Sequence, residues 1–473
     1  MYLSWISISC FLLLVFDFHR CSASICSEYH SSQTSSQQCE CEDVTSNSQP
    51  AISLKCITHV KMPYFPGNFQ YKNIEIESCA DDFDFETNPF NSLSLNTLRI
   101  RHCNLKNVNE QTFANLKHFD KFVLENSTIK SLSTSSGNFQ DVFSANSFQI
   151  LKSLTLKNVH YHQTHKHDKK LNLELLLQQL PHLYRLELMN IYLDNYRYYD
   201  IKTLGQNLTY LSLANTHQTS LVPIQYLSSL QSLLLRHLPD VFHSQPLISS
   251  LGKLKHLKYI LFDYNQLKSI DHLQSETIDD IDLSSNLIEL IDEYTFEHVP
   301  KLRQLILSGN PLNSIDKNAF CGIDHLQRLS IYIKHSSISP LNNCLLIHYP
   351  HLQISQDSQT RFQCDCLLQT VFNTKRQQTN QSVNRIFKLN QGCLLRNESS
   401  PAIQLYELDK HFNCSATNSC ERLCQDRKIK VLKTEVSPSY NGQVNPKDAS
   451  LSTSLYSFFS YQYFLLLLCF LYL

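Results

Sequence analysis

The strongest constraint on this chain is an apolar frame that keeps returning. From Leu95 the sequence reads "LNTLRIRHCNLKNVNEQTF", with apolar side chains at Leu95, Leu98, Ile100, Leu105 and Val108. The same frame recurs in "LKYILFDYNQLKSI" from Leu257, in "IDDIDLSSNLIELI" from Ile278 and in "LRQLILSGNPLNSI" from Leu302. A length of 473 residues would otherwise suggest several globular domains. A repeat of this kind replaces them with one stack, because a single turn cannot bury its own apolar side and must pack on its neighbours. Taking the first strand leucine as reference gives about twelve turns, at Ile74, Leu98, Phe122, Leu154, Leu186, Leu211, Leu233, Ile260, Ile281, Leu305, Leu329 and Leu352. The spacings ending at Leu154 and Leu186 are longer than the rest, which marks insertions in those turns.

The frame matches L-x-x-L-x-L-x-x-N/C-x-L, and the chain resembles extracellular leucine-rich repeat proteins with cysteine-rich flanks, a chaoptin-, connectin- and Nogo-receptor-like architecture. That resemblance implies an α/β-type solenoid: a leucine-rich repeat horseshoe with a parallel concave β-sheet and disulfide caps. Asn265, Asn286 and Asn310 stand at the asparagine position, where a side-chain amide can satisfy backbone groups that curve away from the strand. Cys79 and Cys103 take that position in two early turns, either as buried thiols or as a bridge. Val159, Ile191 and Leu238 take it in the middle and cannot donate, so the middle turns are expected to be less regular than those around Asn286.

Seventeen cysteines fit an oxidising compartment. For the caps, the resemblance implies Cys26–Cys41 and Cys39–Cys56 before the first turn, then Cys364–Cys393 and Cys366–Cys414 after the last. The register of Leu329 and Leu352 puts Cys321 beside Cys344. Cys420 and Cys424 pair with each other or with another partner. Residues 1–23 have the layout of a secretory signal peptide. Residues 24–70 then form an N-terminal cysteine-rich cap, 71–360 the repeats, 361–424 a C-terminal cap and 425–450 a linker. Residues 451–473 form a hydrophobic tail. Small residues at Asp448-Ala449-Ser450, a polar spacer and that tail follow the pattern of a GPI-anchor signal attached at Asp448, with a single spanning helix as the alternative. Asn126, Asn207, Asn380, Asn397 and Asn413 head N-glycosylation sequons.

No nucleophile elbow, phosphate loop, dinucleotide fingerprint or zinc-protease motif occurs, so the chain is expected to be non-catalytic with no cofactor. "VHYHQTHKHDKK" gathers His160, His162, His165, His167 and Asp168, but it lies in an insertion and reads as a solvated loop rather than a metal site. A net charge of −1 gives no bias toward nucleic acid. Side chains beside the strand leucines should point out of the concave sheet. They place Tyr210, Leu234, Tyr259 and Leu261 side by side, next to an acidic strip of Asp263, Asp280 and Asp282, with Arg236 and Ile306 also in the outward-facing ligand-binding set. An apolar cluster rimmed by charge suits an extracellular or cell-surface protein ligand. Arg99, Arg101, Lys121 and Lys157 make the earlier turns basic. The expected function is protein binding in cell adhesion or recognition at the outer face of the plasma membrane. The alternatives are an immune-type receptor working with a signalling co-receptor, or a shed matrix protein.

Overall fold

The computed structural model describes residues 24–31, 39–46, 48–57, 63–79, 83–85, 90–161, 171–193, 205–216, 222–238, 248, 251–270, 273–323, 326–331, 343–345, 349, 353–356, 361–378, 392–395 and 402–411. The signal segment, the 425–450 linker, the hydrophobic tail, Asp448, Asn380, Asn397, Asn413, Cys414, Cys420, Cys424, His162, His165, His167 and Asp168 lie outside the described residues. Among the described residues no helix is long and apolar enough to cross a membrane.

Alternating apolar and polar residues make each frame a strand with one side buried and the other in solvent. The strands are β1 (Cys39–Ser46), β2 (Gln49–Ile57), β3 (Gln70–Glu77), β4 (Ser94–Arg101), β5 (Lys121–Ile129), β6 (Ser153–Tyr161) and β7 (Arg185–Met189). They continue as β8 (Tyr210–Ala214), β9 (Ser232–Arg236), β10 (Tyr259–Leu261), β11 (Asp280–Asp282), β12 (Gln304–Ile306), β13 (Arg328–Ile331) and β14 (Gln353–Gln356). Their order in the sheet follows their order in the chain. Within this sheet β1 and β2 pair antiparallel, and from β2 onward each described neighbour is parallel. This is a leucine-rich repeat solenoid with a continuous parallel sheet.

The reference residues from Ile74 to Leu329 stand side by side across the sheet. The last turn departs from the reading by sequence: Leu329 pairs with Ile354, not Leu352. The spacing that set Cys321 beside Cys344 therefore loses its register basis. Both cysteines are nonetheless disulfide-bonded.

Each turn bends the same way. Ser78, His102, Asn190, Asn215, His237, Tyr264, Ser285 and Gly309 follow their strands, Asn126 and Asn158 lie at the equivalent place within β5 and β6, and all have positive φ, from 49° to 77°. This left-handed bend is cheap for asparagine and costs glycine nothing. At Gly309 a side chain would also come within 3.0 Å of Ser285 Oγ.

The next residue turns inward. Asn286 is 3 % exposed; its Nδ2 donates to the carbonyls of Phe262 (2.6 Å) and Leu283 (2.9 Å), and its Oδ1 accepts from the amides of Asn265 (3.1 Å) and Leu267 (3.0 Å). Asn265 and Asn310 do the same for their turns. Cys79 and Cys103 are bridged, with Cα atoms 4.6 Å apart, which decides against two buried thiols. Apolar residues at this position do not disturb the sheet as expected. Pairing through β5, β6, β7, β8 and β9 runs without a register shift, and β5 and β6 stay paired past the bend, Ser127 with Val159 and Ile129 with Tyr161. A backbone donor that the asparagine serves elsewhere goes here to the next turn's backbone, Leu193 N to Thr216 O (3.3 Å), whereas the equivalent Leu267 N donates to Asn286 Oδ1.

Stacked rings fill the side away from the sheet, among them Phe90 on Phe113 and Phe296 on Phe320. At the N-terminal end, helix α1 (Ile25–Ser31) and the β1–β2 hairpin carry Cys26–Cys41 and Cys39–Cys56. The C-terminal end carries helix α2 (Cys366–Gln378), the Cys364–Cys393 bridge and a disulfide-bonded Cys366.

Replacing Asn286 with Ala removes the hydrogen bonds to the Phe262 carbonyl and from the Asn265 and Leu267 amides, while the Leu283 carbonyl keeps Asn310 Nδ2, at about 1–3 kcal/mol for each group that water cannot reach. Urea unfolding should show Asn286→Ala destabilised by about 3 kcal/mol or more, and exposed Leu287→Ala hardly changed. Equal midpoints for the two variants would contradict the role given to Asn286.

Candidate binding surface

Two inward residues fix each strand, so the residues before, between and after them face solvent. On β8 and β9 these are Tyr210, Ser212, Ala214, Ser232, Leu234 and Arg236; on β10, β11 and β12 they are Tyr259, Leu261, Asp263, Asp280, Asp282, Ser284, Gln304, Ile306 and Ser308. Parallel pairing sets Tyr210, Ser232, Tyr259, Asp280 and Gln304 in one row across successive strands, and Ser212, Leu234, Leu261, Asp282 and Ile306 in the next. Tyr210, Leu234, Tyr259, Leu261 and Ile306 are all half-buried; Leu234, Tyr259 and Leu261 adjoin one another on β9 and β10, with Tyr210 across Ser232 and Ile306 across Asp282. One ring is already covered: the Arg185 guanidinium lies 3.6 Å above the centre of Tyr210. Ala214, one of the residues expected to face out, is 8 % exposed.

The rim differs from the acidic strip expected. Asp263 is only 5 % exposed and is held by Arg236, whose Nε donates to Oδ1 at 2.8 Å and Nη2 to Oδ2 at 2.7 Å. It is a neutralised buried partner, not a free charge. Among the described residues Asp280 and Asp282 have no ion pair, unlike Asp263. Asp282 Oδ1 accepts from the Ser284 amide at 2.9 Å and from its hydroxyl. Burial pushes the Asp280 carboxyl above its ordinary range, and Asp279 adds to the rise against the pull of Arg303 and Arg328. Burial likewise raises the Tyr259 phenol, with the charges of Asp282 and Asp280 adding.

Nor is the N-terminal half of the face a basic strip. Arg101 contacts Glu75 (3.2 Å) and Glu125 (3.0 Å), and Lys157 contacts Glu125 (3.8 Å) and Glu187 (3.0 Å). Arg185 adds a second cation to Glu187, and Lys55 lies 3.6 Å from Glu77. Opposite charges thus alternate from turn to turn across the sheet. Arg99 and Lys121 stand beside this zipper with no ion pair. Reading cations alone hid the pattern; comparing equivalent positions of successive turns would have found Glu75, Glu125 and Glu187.

A second row was also missed. Along the left-handed bends, Asn158 Nδ2 donates to Asn126 Oδ1 (2.6 Å), Asn190 donates to Asn158, and Asn215 Nδ2 donates to Asn190 Oδ1 (2.6 Å). The row continues as His237 stacked on Tyr264 at 4.6 Å. Asn126 and Asn207, heads of two sequons, are both exposed; Asn126 belongs to this row, and Asn207 donates to the Pro181 carbonyl at 3.0 Å. Among the described residues no group of histidine, cysteine and acidic side chains could hold a metal ion.

Residues 276–345, which span β11 to β13, match a family model described as leucine rich repeat. The repeats are leucine-rich repeats. Over 114 residues the chain is 32 % identical to chaoptin of Drosophila melanogaster, a match covering 21 % of this chain and 9 % of chaoptin. Among solved structures it is similar to an internalin of Listeria monocytogenes, at 16 % identity and a TM-score of 0.38, covering 68 % of this chain and 78 % of the internalin.

The charge zipper makes stability depend on pH in one direction. Burial raises the Glu187 carboxyl, but hydrogen bonds and charge from Lys157 and Arg185 outweigh it and hold the group below its ordinary value. A lowered folded-state pKa stabilises fully above the unfolded value near 4.3 and is lost as pH falls through the folded value. Glu187→Gln should therefore lower the thermal midpoint at pH 7 and narrow its gap to wild type as pH drops below about 4. A gap that does not depend on pH would show that the zipper contributes nothing through ionisation.

Proposed function

We propose that this is a non-catalytic extracellular protein that binds a protein ligand in cell adhesion or recognition. In this reading the ligand docks on the solvent face of β8 to β12. The observation that carries the reading is the half-buried group of Leu234, Tyr259 and Leu261, flanked by Tyr210 and Ile306, beside Asp280 and Asp282, which make no ion pair among the described residues. Apolar groups of this size on a sheet, rimmed by charge, are typical of protein interfaces. Leucine-rich repeats and oxidised cysteines support an extracellular binding role, and the partial likeness to chaoptin agrees with it. Adhesion and the capped architecture rest on the family resemblance. A GPI anchor at Asp448, following a secretory signal at residues 1–23, completes the proposal, together with glycans on Asn126, Asn207, Asn380, Asn397 and Asn413.

The anchor is tested on cells expressing the full chain. Phosphatidylinositol-specific phospholipase C should release the protein into the medium; a mature form that stays on the cells and keeps Leu473 in its peptide map would establish a spanning helix instead.

Binding is tested by screening the cell-displayed chain against an array of extracellular proteins. Tyr259→Ala should reach the surface at wild-type level, because Tyr259 faces away from the core, and should weaken the partner found by about 2 kcal/mol, roughly thirtyfold. Ile260→Asp buries an unpaired charge in a residue that is 1 % exposed and should fail to reach the surface. Unchanged affinity in a well-displayed Tyr259→Ala would remove β8 to β12 as the docking face.

A further inference from the structure

The carboxylates on the solvent side of the parallel strands divide sharply. Glu75, Glu77, Glu125, Glu187 and Asp263 each have a lysine or arginine within ion-pair range. Asp280 and Asp282 do not, although both sit on β11 in the same register as their neighbours. The cations closest in the lattice of strands are spent or out of reach. Arg236 is engaged by Asp263, and Arg303 and Arg328 act on Asp280 without contacting it. Asp280 pairs in register with Tyr259 on one side and Gln304 on the other, while Asp282 pairs with Leu261 and Ile306. Asp282 is therefore set between two apolar side chains and Asp280 has one aromatic neighbour, an environment where water screens charge less than at an open surface.

From this complementarity we infer that the partner is a protein segment presenting an arginine or lysine flanked by apolar side chains, its cation seated on Asp280 and Asp282. Its neighbours lie on Tyr259, Leu261 and Ile306. The inference rests on the docking face proposed above and adds the chemistry that selects the occupant. The alternation seen in the first half of the face shows what the missing element is. There each carboxylate is met by a cation from a neighbouring turn of this chain, as Glu125 is met by Arg101 from the turn before and Lys157 from the turn after. At β11 the corresponding positions of the next strand are Gln304 and Ile306, which carry no charge. A ligand cation would complete the series from outside. The planar guanidinium of arginine also lies flat on a tyrosine ring, a contact this face already makes internally between Arg185 and Tyr210. A cation here discriminates between ligands more than it adds raw affinity, since a wrong partner leaves the carboxylates desolvated and unpaired.

The test uses cells displaying the full chain, panned with a phage-displayed library of random peptides. Retained peptides should carry arginine or lysine next to aromatic or aliphatic residues well above the library frequency. Asp280→Asn and Asp282→Asn, made singly and together, keep the side-chain shape and should reach the surface normally. Each should cut retention of the selected basic peptides at least about tenfold. Tyr259→Ala should reduce retention of all face-bound peptides. If peptides depend on Tyr259 but show no excess of basic residues, or if the excess survives in the double variant, this inference is wrong while the docking face stands. If nothing is retained, or retention ignores Tyr259 as well, both readings fall.

Discussion

Every turn of this chain must leave the sheet at the same place, and it does so through one residue in the left-handed conformation. From Ser78 to Gly309 that residue recurs at the equivalent place without exception among the described turns. The constraint is steric: a β-branched residue there crowds its own backbone and none occurs among the described bends, asparagine and glycine adopt the bend readily, and His102, His237 and Tyr264 take it at some cost. Once the bend is made, the following residue points into the core, and the next strand can lie in register on the last. Stacked leucines supply most of the favourable energy of burial. The bend determines that they are stacked at all.

The repeat was legible in the sequence because its period is carried by residues with no alternative place to go. Leu98, Leu154 and Leu305 must be buried, and their spacing gives the register directly. The roles of Asn265, Asn286 and Asn310 could also be read, since a buried amide between apolar residues has to serve the backbone. Three things could not be read from one turn at a time. Leu352 looked like a reference residue, but Ile354 takes that place, because alternation alone permits a slip of two residues without changing the buried face. The bridge between Cys79 and Cys103 depended on a Cα separation that spacing does not provide. The bend row of Asn126, Asn158, Asn190 and Asn215 was overshadowed by the neighbouring consensus position.

The candidate surface was legible as a set of positions but not as a distribution of charge. Outward positions follow from alternation, so Tyr259 and Leu261 could be placed on the face from sequence. Whether a charge is available depends on what stands opposite it, and here the two halves of the sheet differ. Arg101 and Lys157 are occupied by glutamates one turn away, and Asp263 by Arg236. Exposed pairs of this kind add little stability each, about 0–1 kcal/mol. Their larger effect is to quiet the first half of the face electrostatically, so that charge remains readable by a ligand chiefly around β11.

The Cys79–Cys103 bridge has a mechanical consequence. A solenoid holds each turn only through its neighbours, so its ends are where it frays, one layer at a time. Here the cysteines that take the asparagine position bind the layers of β3 and β4 covalently. Neither layer can separate from the stack while the other remains. Fraying that begins at the N-terminal cap therefore stops at β3, and further opening has to detach both layers together against the packing of β5. The first turns act as one thick plate in a stack of thin ones, and a load entering from the cap is passed inward to β5 rather than absorbed at the edge.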